Sequence, residues 1–455
     1  MADANEIRPC AAPGWFAGST AETLAQALKK ARWRLGFLLA LMFAASILDR
    51  SNVGFAKDAL RLDAHIGDRA FALGAGIFFI GYALFEIPSN LILYRVGARV
   101  WLSRIMITWG IASATMMFVH GSVSFYVLRF VVGVAEAGFS PGVVLYSTYW
   151  FPSKERGKFL GIYYMGLPAA LTLGSALSGL LMEKMNGYRG LHNWQWLFLI
   201  EGLAASLIGL LTYFVLPARP SQARWLDASQ KIALEEAIAN EEALKHSPRG
   251  SIAALRDHRV LRLVAIYFAI QAGIYGVVFY LPSRIAVIAG TQIDSRAGLL
   301  TAIPWVCAFL SLRPVTGWAD RVCEHRRFAI AMLLLAAVGL VASTRVTALY
   351  ASLIAFSLAA IGLVVVQPIF WTLPTDYLRG TAAATGIAMI GALGNLGGFV
   401  APTLKEVADK MLPFKQGGNL VLAGLTLCGV ALLVEYGVRF GRGQRRLVLE
   451  TAEHG

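Results

Sequence analysis

The chain has 455 residues, 57% of them hydrophobic and 15% charged, with a mean hydropathy of +0.60. Soluble domains average about 45–50% apolar and about 25% charged residues, so this composition excludes an ordinary cytosolic enzyme, a fibrous protein and a disordered chain. The formal net charge of +14 would suggest nucleic acid in a soluble protein; in so apolar a chain it points to cytoplasmic loops beside a membrane.

Residues 1–33 form a polar N-terminal segment with no apolar stretch after a basic start, so no cleavable signal peptide is expected. A helix needs about 20 mostly apolar residues to cross a hydrocarbon core of about 30 Å. Twelve segments meet that need, near 34–58, 71–93, 101–120, 123–150, 159–182, 194–217, 260–281, 297–316, 328–344, 347–373, 381–404 and 419–439. The expected fold is therefore an all-α integral membrane protein with twelve transmembrane helices in two six-helix halves, 34–217 and 260–439. A charged linker, 218–259, joins them, and residues 440–455 form a tail. Within the linker, Asp227 and Gln230 read as a capping box opening a short helix through Leu244.

Loop charge sets the orientation. With both termini inside, 28 Lys and Arg fall on the cytoplasmic side and 11 outside, while Arg50 and Arg129 lie within spans. The positive-inside rule then places both ends and the linker in the cytoplasm, at a plasma (inner) membrane. The basic residues are scattered over many loops, so no nucleic-acid partner is expected. Cys10, Cys307, Cys323 and Cys428 make no metal-like cluster, and a disulfide framework is not expected.

The halves echo each other. Trp150-Phe151-Pro152 followed by Arg156-Gly157 leaves span 4, and Trp371-Thr372-Leu373-Pro374 followed by Arg379-Gly380 leaves span 10. The loop Arg95-Val96-Gly97-Ala98-Arg99 after span 2 answers Asp320-Arg321, Arg326 and Arg327 after span 8. Matched loops on one side require a parallel repeat about an axis along the membrane normal. Transporters built this way hold their site at the midplane between the halves and alternate access by rocking.

Ionisable groups in mid-span are costly and are functional candidates by default. Asp49 and Arg50 lie in span 1, Arg129 and Glu136 in span 4. A separation of seven is about two turns, which puts Arg129 and Glu136 on one helix face. Arg50 offers a permanent forked cation for a substrate carboxylate. Asp49 and Glu136 can each take a proton, and burial and a neighbouring arginine act on that equilibrium in opposite senses. Arg129 and Asp49 admit two readings, an ion pair that locks helices or a proton-coupling pair. Glu86, just before Pro88, reads as structural. Tyr82, Gln271, Tyr275 and Asn395 are uncharged polar groups at similar depth that can bond a solute or bridge helices. Trp371 and Tyr164 lie deeper, as gate or packing.

These residues carry a resemblance. Leu48-Asp49-Arg50-Ser51-Asn52-Val53-Gly54-Phe55-Ala56 resembles the first-span signature of the anion:cation symporter family of the major facilitator superfamily. So do Gly81-Tyr82-Ala83-Leu84-Phe85-Glu86-Ile87-Pro88-Ser89-Asn90, the run from Leu128-Arg129-Phe130 through Glu136-Ala137-Gly138-Phe139 to Pro141-Gly142, and Trp194-Gln195-Trp196-Leu197-Phe198-Leu199-Ile200-Glu201-Gly202. The resemblance implies a twelve-helix carrier that symports a small organic anion with protons. It implies Asp49 and Glu136 as proton carriers with Arg129 as their partner, Arg50 as carboxylate binder, and Tyr82, Gln271 and Asn395 as lining groups. Three positions depart from the pattern. Ile47 stands where sugar-acid carriers have tyrosine, Tyr94 stands where an acidic residue precedes the loop arginine, and Cys323-Glu324-His325 replaces a common Gly-Arg turn. The first weakens the case for a polyol substrate, and Tyr275 and Trp371 favour a short or aromatic mono- or dicarboxylate.

The expectation is thus a secondary transporter that takes up a small organic anion with protons, acts as a monomer in the bilayer and needs no cofactor or metal. An exporter or exchanger on the same fold is the alternative. An enzyme would need a nucleophile–base pair, a metal cluster or a cofactor loop. His65, His120, His192, His246, His258, His325 and His454 all sit in loops, span ends or the tail, without such partners.

Overall fold

A computed structural model describes residues 18–244, 256–291, 294–322, 324–378, 380–412 and 417–453. Residues 1–17, on which most of the signal-peptide reading falls, and Cys10, Cys323, His246, Arg379 and His454 lie outside them. The described residues are helical, without a strand. Eleven helices are long and apolar enough to cross a membrane. The twelfth, Ala98–Ala114, has 17 residues and continues into a 3₁₀ turn, Thr115–Phe118. Together they rise about 33 Å, enough for the hydrocarbon core. Side chains such as Phe37, Leu84, Phe118, Leu207, Phe214 and Leu310 are exposed on the outer surface, as helices facing lipid require.

In chain order, span 1 is Gly18–Asp63, span 2 Asp68–Val96 and span 3 Ala98–Phe118. Span 4 is Ser122–Glu136 with Phe139–Thr148, span 5 Ser153–Tyr164 with Gly166–Lys184, and span 6 Asn193–Val215. Span 7 is His258–Val278 with Leu281–Ala289, span 8 Ser295–Val322, span 9 His325–Arg345 and span 10 Leu349–Tyr377. Span 11 is Gly380–Asn395 with Gly397–Met411, and span 12 begins the helix Gly417–Glu453. The linker helix is Ala228–Leu244, opened by the Asp227 backbone N–H donating to Gln230 Oε1 at 3.4 Å.

Span 1 starts at Gly18 and not at residue 34. Ala27, Leu28, Ala31 and Leu35 form a buried stripe at helical spacing, and the helix packs on the linker helix. Lys30 fixes the junction, donating to Gln230 Oε1 at 3.1 Å and pairing with Asp227 at 3.6 Å.

Four spans are discontinuous, which matters most in span 4. Its first segment ends at Glu136, and Gly138 turns the chain with φ +86°, a left-handed conformation that a Cβ disfavours. Glu136 is thereby presented at a break and not in mid-helix. Five residues before the break, Gly133 lets spans 2 and 4 touch: a Cβ there would lie 2.0 Å from the Phe78 carbonyl oxygen. Gly133→Ala is expected to cost about 2–3 kcal/mol, because backbone must shift to admit it. The check is thermal unfolding of purified protein in detergent; an unchanged midpoint would refute the close approach.

The halves meet along spans 5 and 8 and along spans 2 and 11. Small residues allow this: a Cβ on Gly298 would lie 2.5 Å from the Ser175 carbonyl oxygen. On the side that carries the linker, Arg156 is buried at the start of span 5. It donates to the Phe151 carbonyl at 3.1 Å, across to the Thr375 carbonyl of span 10 at 3.0 Å, and to Glu241 of the linker helix at 3.2 Å. On the opposite side, a Cβ on Gly179 of span 5 would lie 2.8 Å from the Asp294 carbonyl oxygen, and the second segment of span 7 packs on span 1. Contacts between halves thus close both ends around the centre.

Candidate functional site

Between the halves lies a small cavity; all space not filled by atoms, open solvent included, comes to about 460 Å³. Spans 1, 4 and 5 supply one wall; spans 7, 10 and 11 supply the other. Apolar side chains form much of the lining, among them Phe43, Ile47, Leu167, Leu171, Ile274 and Val278. Arg50 is the one charged residue among those lining it.

Arg50 is held from both halves. Its Nε and Nη2 donate to Glu136 Oε1 at 2.9 and 2.6 Å, and its Nη1 donates to the Tyr275 hydroxyl at 2.5 Å. The guanidinium also stands 4.9 Å from the Tyr82 ring centre and 5.2 Å from that of Phe78, within cation–π range. Glu136 Oε1 further accepts from Ser46 at 2.5 Å. The other carboxyl oxygen, Oε2, is buried and has no hydrogen-bond partner among the described residues. The pair is therefore lopsided: all three donors crowd one oxygen of Glu136.

Asp49 and Arg50 are neighbours in sequence but diverge in space, since successive helix residues project about 100° apart. Asp49 turns to span 3, where it accepts from Ser113 Oγ and, at 3.1 Å, from Trp109 Nε1. It does not line the cavity. Arg129 is buried but, among the described residues, has no carboxylate within 4.0 Å; it reaches the Ala75 carbonyl at 3.5 Å and stands 4.8 Å from the Phe78 ring centre. The structure thus brings Arg50 and Glu136 together and leaves Asp49 and Arg129 in separate contacts. Phe78 lies between the two arginines.

The opposite wall is an amide chain. Gln367 Nε2 donates to Gln271 Oε1 at 3.1 Å, and Gln271 Nε2 donates to Asn395 Oδ1 at 2.5 Å. Gln271, Tyr275 and Asn395 line the cavity; Tyr82 lies beneath Arg50 and Trp371 lies behind Tyr267, its ring 4.9 Å away. Sequence reading missed Gln367, Tyr267, Ser140 and Ser46. Gln367 had a usable signal, a lone polar residue in the run Val364-Val365-Val366 before Pro368. Ser46 sits four residues before Arg50, one turn away, which places it over the same carboxylate.

Chemically, the site offers one forked cation, a carboxyl group already bonded to it, neutral amides and tyrosines opposite, and apolar flanks. A family model described as Major Facilitator Superfamily matches residues 39–402. The inner membrane transport protein RhmT of Escherichia coli (strain K12) is 41% identical over 89% of this chain and 94% of its own length. A protein of Agrobacterium vitis named "Putative tartrate transporter" is 41% identical over 88% of this chain and 92% of its own. The solved proton:xylose symporter XylE, bound to 6-bromo-6-deoxy-D-glucose, superposes with a TM-score of 0.74 at 13% identity, covering 90% of this chain and 96% of that one; it shares the fold.

Proposed function

The chain belongs to the Major Facilitator Superfamily and is a multi-pass membrane transporter, and from that premise we propose that it takes up a small organic anion together with protons. The observation that carries this reading is Arg50 as the sole charged group, among the described residues, lining a cavity between the halves, with Glu136 as its present partner. A substrate carboxylate entering the cavity competes with Glu136 for the guanidinium. A proton on Glu136 removes that competitor, so proton and anion favour each other's binding, and linkage makes the effect reciprocal. Gln271, Asn395 and Gln367 bond the polar part of the anion, Tyr275 follows Arg50, and the flanking Ile47, Leu167 and Val278 suit a short or aromatic carbon frame. Asp49, bonded to Ser113 and Trp109, serves as a second proton carrier behind the site, with Arg129 bearing on it and on Glu136 through the field. The basic linker and termini face the cytoplasm under the positive-inside rule. The name of the Agrobacterium vitis relative supports a carboxylate cargo.

The test is uptake into proteoliposomes of radiolabelled tartrate and benzoate under an imposed proton gradient, acid outside the binding-competent face. One pH unit driving one proton per anion allows about tenfold accumulation. Accumulation above that in protein-free liposomes under the same gradient is expected for at least one probe. Export against the same gradient would favour an exchanger or exporter, and gradient-insensitive equilibration of both probes would reject coupling.

A further inference from the structure

Glu86 belongs to neither the cavity nor the Arg50 cluster, yet it is completely buried in span 2. Neither of its carboxyl oxygens has a hydrogen-bond partner among the described residues. It faces the other half: a Cβ built on Gly391 of span 11 would lie 2.5 Å from Glu86 Oε1 and 2.7 Å from the Pro141 ring. Gly391 is thus a notch that receives the carboxyl group as the halves close. Glu86 lies past the middle of span 2 toward its Val96 end, and Pro141 lies in the second segment of span 4; both place the contact on the linker side of the cavity.

A carboxylate shut away from water without a donor is strongly disfavoured, whereas the neutral acid is tolerated. The ionisable groups within its electrostatic reach are Arg50 of span 1, Glu136 of span 4 and its own helix neighbour Tyr82, with Tyr267 and Tyr275 of span 7 beyond. Arg50 is already bonded to Glu136, and span 11 presents glycine at the contact. Arg50 and Tyr82 offset the charge of an ionised Glu86 only in part as long as the halves stay together.

We propose that Glu86 is a proton-binding site of the linker-side gate, occupied when spans 2, 4 and 11 are closed and emptied when they part and admit water. The neutral group fits the notch; ionisation makes the notch uninhabitable and favours opening. Raising the pH therefore opens the linker-side mouth, and this proton is counted separately from those on Asp49 and Glu136. The inference rests on alternating access, the reading of the fold given above, but on no particular substrate.

The experiment measures the gate itself. Nitroxide labels at Lys158→Cys and Arg321→Cys, in an otherwise cysteine-free chain, straddle the linker-side mouth, where Gly157 of span 5 meets Asp320 of span 8. Distances between the labels are recorded without substrate from pH 6 to pH 9. The Asp49→Asn background removes one of the two other candidate proton carriers and leaves the Arg50–Glu136 pair in place. There, the ratio of open to closed molecules is expected to rise by at least about tenfold with pH, as loss of one linked proton permits. Adding Glu86→Gln is expected to flatten the profile. A profile unchanged by Glu86→Gln overturns the proposal while leaving alternating access standing. Labels that never separate at any pH overturn both. An infrared difference spectrum gives an independent reading that does not need the combined variant. The wild-type chain near neutral pH should show a carboxylic-acid C=O band that Glu86→Gln removes and Glu86→Asp shifts; its absence from the wild-type chain would also refute the assignment.

Discussion

Replacing Arg50 by alanine is expected to abolish saturable binding and to lower transport by at least about 100-fold. Two effects act together. The substrate loses the only charged group that lines the cavity among the described residues, and Glu136 is left buried without its cation. Removing one partner of a buried, hydrogen-bonded charge pair costs about 3–5 kcal/mol, and each 1.4 kcal/mol is about tenfold. Arg50→Lys separates charge from geometry. Lysine keeps the charge but lacks the planar fork that now reaches Glu136 by two nitrogens and Tyr275 by a third, and it lacks the flat cation facing Tyr82. We expect Lys to retain folding and to bind the anion about 10–100-fold more weakly. The measurement is equilibrium binding of the transported probe, alongside thermal unfolding. A lysine variant that binds as tightly as wild type would show that the site needs only a positive point charge.

Glu136→Gln is expected to divide the transport cycle. Its amide oxygen can still accept from Arg50 and Ser46, so the packing of spans 1 and 4 survives. What it cannot do is exchange a proton. Gradient-driven uptake should fall to the level of protein-free liposomes, while counterflow, in which internal and external substrate exchange without net proton movement, should continue. Arg50 should also be easier for substrate to claim, because a neutral amide holds a guanidinium less firmly than a carboxylate does. Loss of both uptake and counterflow would make Glu136 a binding or structural group and would sink the coupling scheme.

Much of the fold is legible in the sequence because lipid imposes a simple rule: each crossing needs its own apolar length. The residues beyond that rule were harder. Span 1 was expected to begin with its apolar run, but Gly18–Asp63 begins earlier because a short buried stripe, Ala27 to Leu35, extends the helix where it packs on the linker helix, a tertiary contact invisible in hydropathy. Arg129 and Glu136 share a helix face as spacing requires, yet they engage different neighbours, Phe78 and Arg50. Spacing fixes direction from one axis and says nothing of what stands opposite. Asp49 and Arg50 show the converse, adjacent in sequence and turned to separate helices. Glu86 reads as structural from its depth and its place before Pro88; its interest lies in Gly391, on a helix some 300 residues away. Gln367 was hidden by a proline and three valines, which mark a buried helix more loudly than one amide marks a site.

Arg156 bears on how the carrier behaves when it has nothing to carry. One guanidinium joins span 5, span 10 and the linker helix, so opening that side requires the bond across the halves to the Thr375 carbonyl to be surrendered. An empty carrier is thereby held shut on that side. If transport is coupled to protons, as proposed above, a carrier that opened on both sides would let the gradient run down without cargo. On that reading the buried arginine is insulation between one cargo and the next.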